Sequence, residues 1–279
     1  MEHILELFQY KFFINALLAA ISASISCGII GTYIVSRRIV FISGGITHAS
    51  FGGIGIGYYL GINPILGAAV FAVLSAMGIE IISKRINVRE DSVIGIIWSF
   101  GMAIGIIFVF ITPGYAPNLM SYLFGSILTV SGTELLLMYS LSLIIVIFFL
   151  LFFRIILLIS FDEEYAKTHK TPIGLTNYLL LSLIALTVVL NIRVAGIILV
   201  ISFLTLPQTI ANLFSKNFKG IIFYSILFGL IGSITGLIIS YKINIPSGAS
   251  IIFSFIIIFI LLKIVITILN YFKLRNKAV

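Results

Sequence analysis

Apolar runs of membrane-spanning length recur from one end of this chain to the other, and they leave few folds open. They cover about Phe12–Val35, Ser43–Leu60, Ile65–Ile82, Ser92–Thr112, Thr133–Phe153, Gly174–Leu190, Val194–Phe214, Gly220–Ser240 and Ser250–Leu269. Roughly 20 consecutive apolar residues cross a bilayer as a helix, which satisfies its backbone polar groups internally. The runs do not alternate apolar with polar residues, which excludes a membrane β-barrel. Charged residues make up 9% of the chain, against about 25% in soluble domains. The reading is all-α, a polytopic transmembrane helical bundle. It has nine spans, or eight if one neighbouring pair is a single broken helix. Residues 1–279 are read as one integral-membrane domain.

The +8 net charge does not form a patch for nucleic acid, because the basic residues sit in short loops between the runs. Arg37, Arg38, Lys84, Arg85, Arg89, Arg154, Lys167, Lys170, Lys216, Lys219, Lys273, Arg275 and Lys277 fall on one side. Lys11, Arg193 and Lys242 fall on the other, with Lys263 inside the last run. The positive-inside rule makes the first group cytoplasmic, with the N-terminus outside and the C-terminus inside. The one cysteine, Cys27, permits no disulfide framework. Met1–Lys11 carries Glu2 and Glu6 and lacks a basic leader, so no cleavable signal peptide is expected.

Two stretches depart from the pattern. Asn118–Val130 is too short to span and is read as re-entrant or interfacial. Ser160–Pro172 is the most hydrophilic segment: Ser160 and Glu163 fit a capping box, Asp162 adds an acid to the first turn, and Pro172 stops the turn. A short cytoplasmic helix is expected there, either a solvated loop or a docking element for a partner. The span Arg154 would close is expected to end there, and Glu80 and Glu134 are read as reaching the interface.

Arg37–Gly61 is the densest feature. Gly45, Ala49, Gly53 and Gly57 recur every four residues, a small-xxx-small stripe that lets a second helix approach closely. His48 lies beside the stripe, at a depth where an ionisable group points to function. The alternative is an imidazole that hydrogen-bonds between packed helices. Pro207, with Gln208 and Thr209, breaks a long span and is read as a gate or hinge. The Pro246-Ser247-Gly248 turn is read as part of a gate or of an outer receiving surface. No G-x-x-x-x-G-K-[ST] motif occurs, so no P-loop ATPase activity of its own is expected and any ATP use falls to a partner.

Six ordered stretches carry a resemblance: RRIVFISGGITHASFGGIGIGYYLGINP, REDSVIGIIWSFGMAIGIIF, PNLMSYLFGSIL, FDEEYAKTHK, RVAGIILVISFLTLPQTIA and INIPSGASI. Together they resemble the membrane permease of the zinc/manganese/iron ABC-transporter family, from about Phe12 to Leu269. The resemblance implies an ABC importer permease in the plasma membrane of a prokaryote, paired with a second permease copy, identical or paralogous. A cytoplasmic ABC ATPase would use the ATP, and an extracytoplasmic metal-binding protein would deliver a divalent metal ion. No tightly bound cofactor is implied. Asp162, Glu163, Glu164, Tyr165, Ala166, Lys167 and His169 would belong to the coupling helix. Many members of the family carry an aspartate where Gly44 stands and some a histidine where Ser99 stands. His48 is therefore the metal candidate that remains, with Thr47 and Ser99 as weak supports. An ion-coupled secondary transporter or channel is the alternative, disfavoured by few buried charges and no clear inverted repeat.

Overall fold

The computed structural model describes residues 9–86, 88–113, 125–161, 165–166 and 173–275. In chain order they form α1 (Lys11–Ser36), α2 (Val40–Tyr59), α3 (Pro64–Ile86), α4 (Glu90–Ile111), a 3-10 turn (Ile127–Thr129), α5 (Gly132–Phe161), α6 (Ile173–Phe203), α7 (Leu206–Phe214), α8 (Phe218–Ile243) and α9 (Ser247–Arg275). There is no strand among the described residues.

Local chemistry starts and stops these helices. Asn63 precedes Pro64 and accepts the Ile65 amide on its side chain at 2.9 Å, so α3 opens with a cap and a proline in its first turn. At the head of α5, Ser131 and Glu134 form a reciprocal capping box. The Ser131 amide donates to Glu134 Oε2 at 2.8 Å, and the Glu134 amide donates to Ser131 Oγ at 3.3 Å. Glu134 is therefore a helix cap. Asn244, in the left-handed region at φ 57°, closes α8 and turns the chain into α9.

Nine helical stretches among the described residues are long and apolar enough to cross a membrane. Two of them are Ile173–Ile192 and Ala195–Phe214; near the start of the second, Gly196, with φ 77° and ψ 163°, breaks α6. Only glycine holds such a backbone readily, and Gly125 (φ 54°) lies against it, its own missing side chain replaced by the Ala195–Gly196 backbone.

Two expectations are corrected. The fifth span does not stop at Arg154 but continues through a kink at Phe152 to Phe161. Arg154 is exposed, and a long side chain can reach polar surroundings from within an apolar helix. Ser160 is consequently not an N-cap; it lies inside α5, buried, and its hydroxyl donates back to the Ile156 carbonyl at 2.6 Å. Asp162, Glu163, Glu164, Lys167, His169 and Pro172 lie outside the described residues, as does 118–124 of the short apolar stretch.

The most buried spans are α1, α2 and the first part of α6. Around them the remaining helices contribute to one hydrophobic cluster. Lipid tails are as apolar as leucine side chains, so close packing and polar contacts must hold such helices together. Along the α1–α5 seam Ser22 and Ser142 share a hydrogen bond at 2.8 Å, and Tyr139 donates to the Leu18 carbonyl at 3.0 Å. Asn15 donates to the Val130 carbonyl at 3.0 Å. Each such bond contributes about 0.6 kcal/mol on average in a membrane bundle.

Candidate functional site

The glycine helix α2 is held between α3 and α4, with α6 on a further side. Its four-residue stripe serves two neighbours. Towards α4, a Cβ on Gly45 would strike the Ile94 side chain, and a Cβ on Gly101 would stand 2.5 Å from Ala49 Cα. Towards α3, a Cβ on Gly53 would strike the Gly67 carbonyl, and one on Gly57 would stand 2.8 Å from Pro64 Cα. A second set of contacts escaped sequence reading: Gly52 faces the Gly101 carbonyl and Gly55 the Gly105 carbonyl. The signal was present in α4 as Gly101-x-x-x-Gly105.

This packing places His48 against Trp98 of α4. The rings stack with centroids 4.1 Å apart and planes 6° from parallel. His48 is half-buried, and its Nδ1 is buried with no hydrogen-bond partner among the described residues. It stands eight residues into α2, about 12 Å along the axis from the helix start. The stacked indole fixes the plane of an imidazole whose Nδ1 is left without a protein partner among the described residues.

The weaker candidates do not converge on it. Thr47 is fully buried and donates to the Ser43 carbonyl of its own helix. Ser99 is exposed; two residues from Gly101, it points about 160° around α4 from the face that meets α2. Gly44 has room. A Cβ there would make ordinary contacts with Trp98 and Ile201 at 3.8 and 3.9 Å.

Pro207 is buried in the first turn of α7, after a break at Leu204–Thr205. Beside it Gln208, fully buried, donates to the Cys27 carbonyl at 2.8 Å and the Phe203 carbonyl at 3.2 Å. It thereby ties the break to α1. Pro246 and Ser247 help line a cavity of about 410 Å³ with Phe12, Phe13, Gly125 and Asn244. Gly248 is half-buried in the first turn of α9.

At the basic end, Tyr165 is exposed and Ala166 is buried in a small cluster with Ile159 of α5 and Ile173 of α6. Nearby, Glu80 does not reach outward as expected. It turns inward to accept from Asn177 at 2.7 Å, and it pairs with Lys84 at 2.5 Å.

Comparison with known proteins follows this geometry. A model of the ABC 3 transport family matches residues 9–266. An uncharacterised membrane protein of Synechocystis sp. is 41% identical over 251 residues, which cover 90% of this chain and 89% of that protein. The manganese transport system membrane protein MntC of Halalkalibacterium halodurans is 33% identical over 247 residues, 88% of this chain and 85% of that one. Among solved structures, PsaBC from Streptococcus pneumoniae in complex with Fab superposes with a TM-score of 0.83 at 32% identity. The match covers 94% of each chain.

Proposed function

The chain belongs to the ABC 3 transport family, and from that premise we propose that it is the permease subunit of an ATP-driven importer of a divalent metal ion. Manganese is the first candidate, on the strength of the relative named for manganese transport; zinc and ferrous iron are the ions that an imidazole suits better. ATP is used by a separate cytoplasmic ABC ATPase, and an extracytoplasmic metal-binding protein hands over the ion. A second permease copy, identical or paralogous, completes the path. The basic end faces the cytoplasm of a prokaryotic cell, with the N-terminus outside and the C-terminus inside.

The observation that carries this reading is His48, whose buried Nδ1 lacks a partner while Trp98 holds the ring. One imidazole makes a weak site, which suits a path that must release as well as accept its ion. ATP binding and hydrolysis in the partner would act on the 162–172 segment and switch access between the two sides. The segment would reach the bundle through Ala166, seated between α5 and α6.

The test is uptake of manganese, zinc and ferrous iron by cells expressing the permease with an ATPase and a delivery protein. Uptake is expected only when the ATPase is present, and His48→Ala lowers it about tenfold, the scale of a metal ligand's support, with assembly intact. Uptake that persists without the ATPase refutes the importer. Unchanged uptake in His48→Ala removes His48 from the path.

A further inference from the structure

A groove of about 400 Å³ opens between α5 and α8 on the outer surface of the bundle, near its basic end. Val146, Phe149, Leu150 and Phe153 of α5 form one wall, Ile222 of α8 the other, and Ile29 of α1 the floor. Every lining side chain is apolar except Lys219, the second residue of α8. Its Nζ lies over the Phe153 ring, 5.0 Å from the centroid, and the ring face holds the ammonium at the rim of the groove.

Depth and charge set this groove apart from a bare apolar surface. Arg154 stands about 33 Å along α5 from Gly132, and Lys219 about 36 Å along α8 from Ile243. The hydrocarbon core is about 30 Å thick, so both cations reach its edge while the apolar lining stays within it. The two walls repeat one arrangement. Arg154 follows Leu150 by four residues and Lys219 precedes Ile222 by three, so on each helix a cation stands one turn beyond an apolar lining residue, towards the basic end. Lys216, just before α8, adds a third positive charge. The four described carboxylates lie elsewhere: Glu80, Glu90 and Asp91 on α3 and α4, and Glu134 at the opposite end of α5.

We propose that the groove is a binding site for an anionic phospholipid of the leaflet at the basic end, with one acyl chain between α5 and α8 and the phosphate held by Lys219 and Arg154. An apolar groove alone would take any lipid; the cations at its rim select a negative headgroup, as basic pockets between membrane helices do. An ammonium has three donors, so Lys219 keeps its place over Phe153 and still donates to a phosphate oxygen. The groove also lies away from the His48 side: α5 and α8 pack on α1, whereas α2 packs on α3, α4 and α6. A second copy meeting the His48 side leaves the groove facing the bilayer. Phe149 and Phe153 bracket Phe152, where α5 kinks, so the acyl chain rests against both halves of the bent helix. The site needs only that the bundle spans a membrane, whatever ion it carries.

The test uses the full chain reconstituted in bilayers. Trp98, the one tryptophan, is replaced by phenylalanine, and Leu150→Trp sets a reporter at the mouth of the groove, where Leu150 is 74% exposed. Quenching by brominated phosphatidylglycerol mixed with phosphatidylcholine measures the preference for the anionic lipid. Ile81→Trp, exposed on α3 beside Arg85 and outside the groove, is the control. The groove reporter should favour phosphatidylglycerol about tenfold, the scale of two basic residues at a charged membrane surface. It should keep at least about threefold in about 1 M salt, where a Debye length of about 3 Å leaves only contact pairs. The control should lose its preference there.

Lys219→Gln with Arg154→Gln should bring the groove to parity between the two lipids. Val146→Phe, which fills the groove and leaves both cations in place, should lower the preference to that of the control. Lys219 and Arg154 are exposed and Val146 is half-buried, so both variants should keep the helical circular-dichroism spectrum. A preference equal at the two reporters and lost in salt is diffuse attraction and overturns the site. A preference that survives the paired glutamines overturns the phosphate contact, and one that survives Val146→Phe places the lipid outside the groove. Metal uptake enters none of these measurements, so failure of the permease reading would leave them unchanged.

Discussion

Replacing Gly53 with alanine tests whether α2 is held by bare backbone. The Cβ would strike the Gly67 carbonyl, and the converse holds for Gly67 against Gly53. An ordinary carbon–oxygen contact of this kind is about 3.3–3.6 Å, so the two helices must separate by about 1 Å, and a gap of that size forfeits a quarter to a half of each pair's dispersion energy. Overpacking of this kind costs about 1–3 kcal/mol, offset by about 0.8–1 kcal/mol of helix propensity gained over glycine. Gly95 is the control: a Cβ there meets nothing, so Gly95→Ala keeps the propensity gain of about 0.8–1 kcal/mol alone. The two variants should differ by about 1–3 kcal/mol, or roughly 2–12 °C in thermal midpoint at about 2–4 °C per kcal/mol. The assay is thermal unfolding of the purified protein in one detergent. Gly53→Ala and Gly67→Ala together should cost less than the sum of the singles, because helices already spread by one Cβ accommodate the second. If Gly53→Ala melts with Gly95→Ala, the backbone contact is not what holds these helices.

Other outcomes follow from single contacts. Ser131→Ala should destabilise the protein by about 1 kcal/mol through loss of the α5 cap, while Ser160→Ala, whose hydroxyl only bonds back within its own helix, should stay within about 0.5 kcal/mol of wild type; chemical denaturation of both separates them. Gln208→Leu leaves the Phe203 carbonyl at the α6–α7 break unpaired and should cost about 1–3 kcal/mol, read as earlier hydrogen exchange around residues 203–209. A Cβ at position 44 makes only ordinary contacts with Trp98 and Ile201, and Gly44→Asp places a carboxylate one turn from His48. Manganese affinity measured by calorimetry should then rise about tenfold or more, with slower uptake because release is retarded. Unaltered affinity would count against His48 as a ligand.

The spans were legible because their cause is local: about 20 apolar residues satisfy a bilayer whatever their neighbours do. Their ends were less so. Ser-x-x-Glu occurs at Ser131–Glu134 and at Ser160–Glu163, and the motif is identical on paper. At 131 the chain enters a helix from extended backbone, so the serine caps it. At 160 an apolar helix is already running, and each further residue adds a hydrogen bond without a new nucleation cost, so the serine is carried inside. A capping motif reports a helix start only where no helix precedes it. Arg154 misled for a related reason, since a cation ends a span only if its stem is too short to reach out of it.

The site divides along the same line. His48 could be singled out from its own span, because a lone imidazole among glycines and isoleucines is costly wherever that helix packs. Trp98, which fixes the ring, is 50 residues away and reads as one more aromatic in an apolar run; it acquires its role only when Gly101 lets α4 close on Ala49. Asn177 is the stronger case. Its neighbours Arg37 and Glu80 were read separately, one as a topology marker and the other as an interface residue, and both readings follow from placing each side chain on its own helix. Three side chains, one just past the end of α1 and the others on α3 and α6, become one bridge only after the helices are assembled. The packing glycines are therefore what set the geometry of the polar groups. They fix how closely α2 lies against α3 and α4, and hence where Glu80 and His48 stand relative to the helices around them.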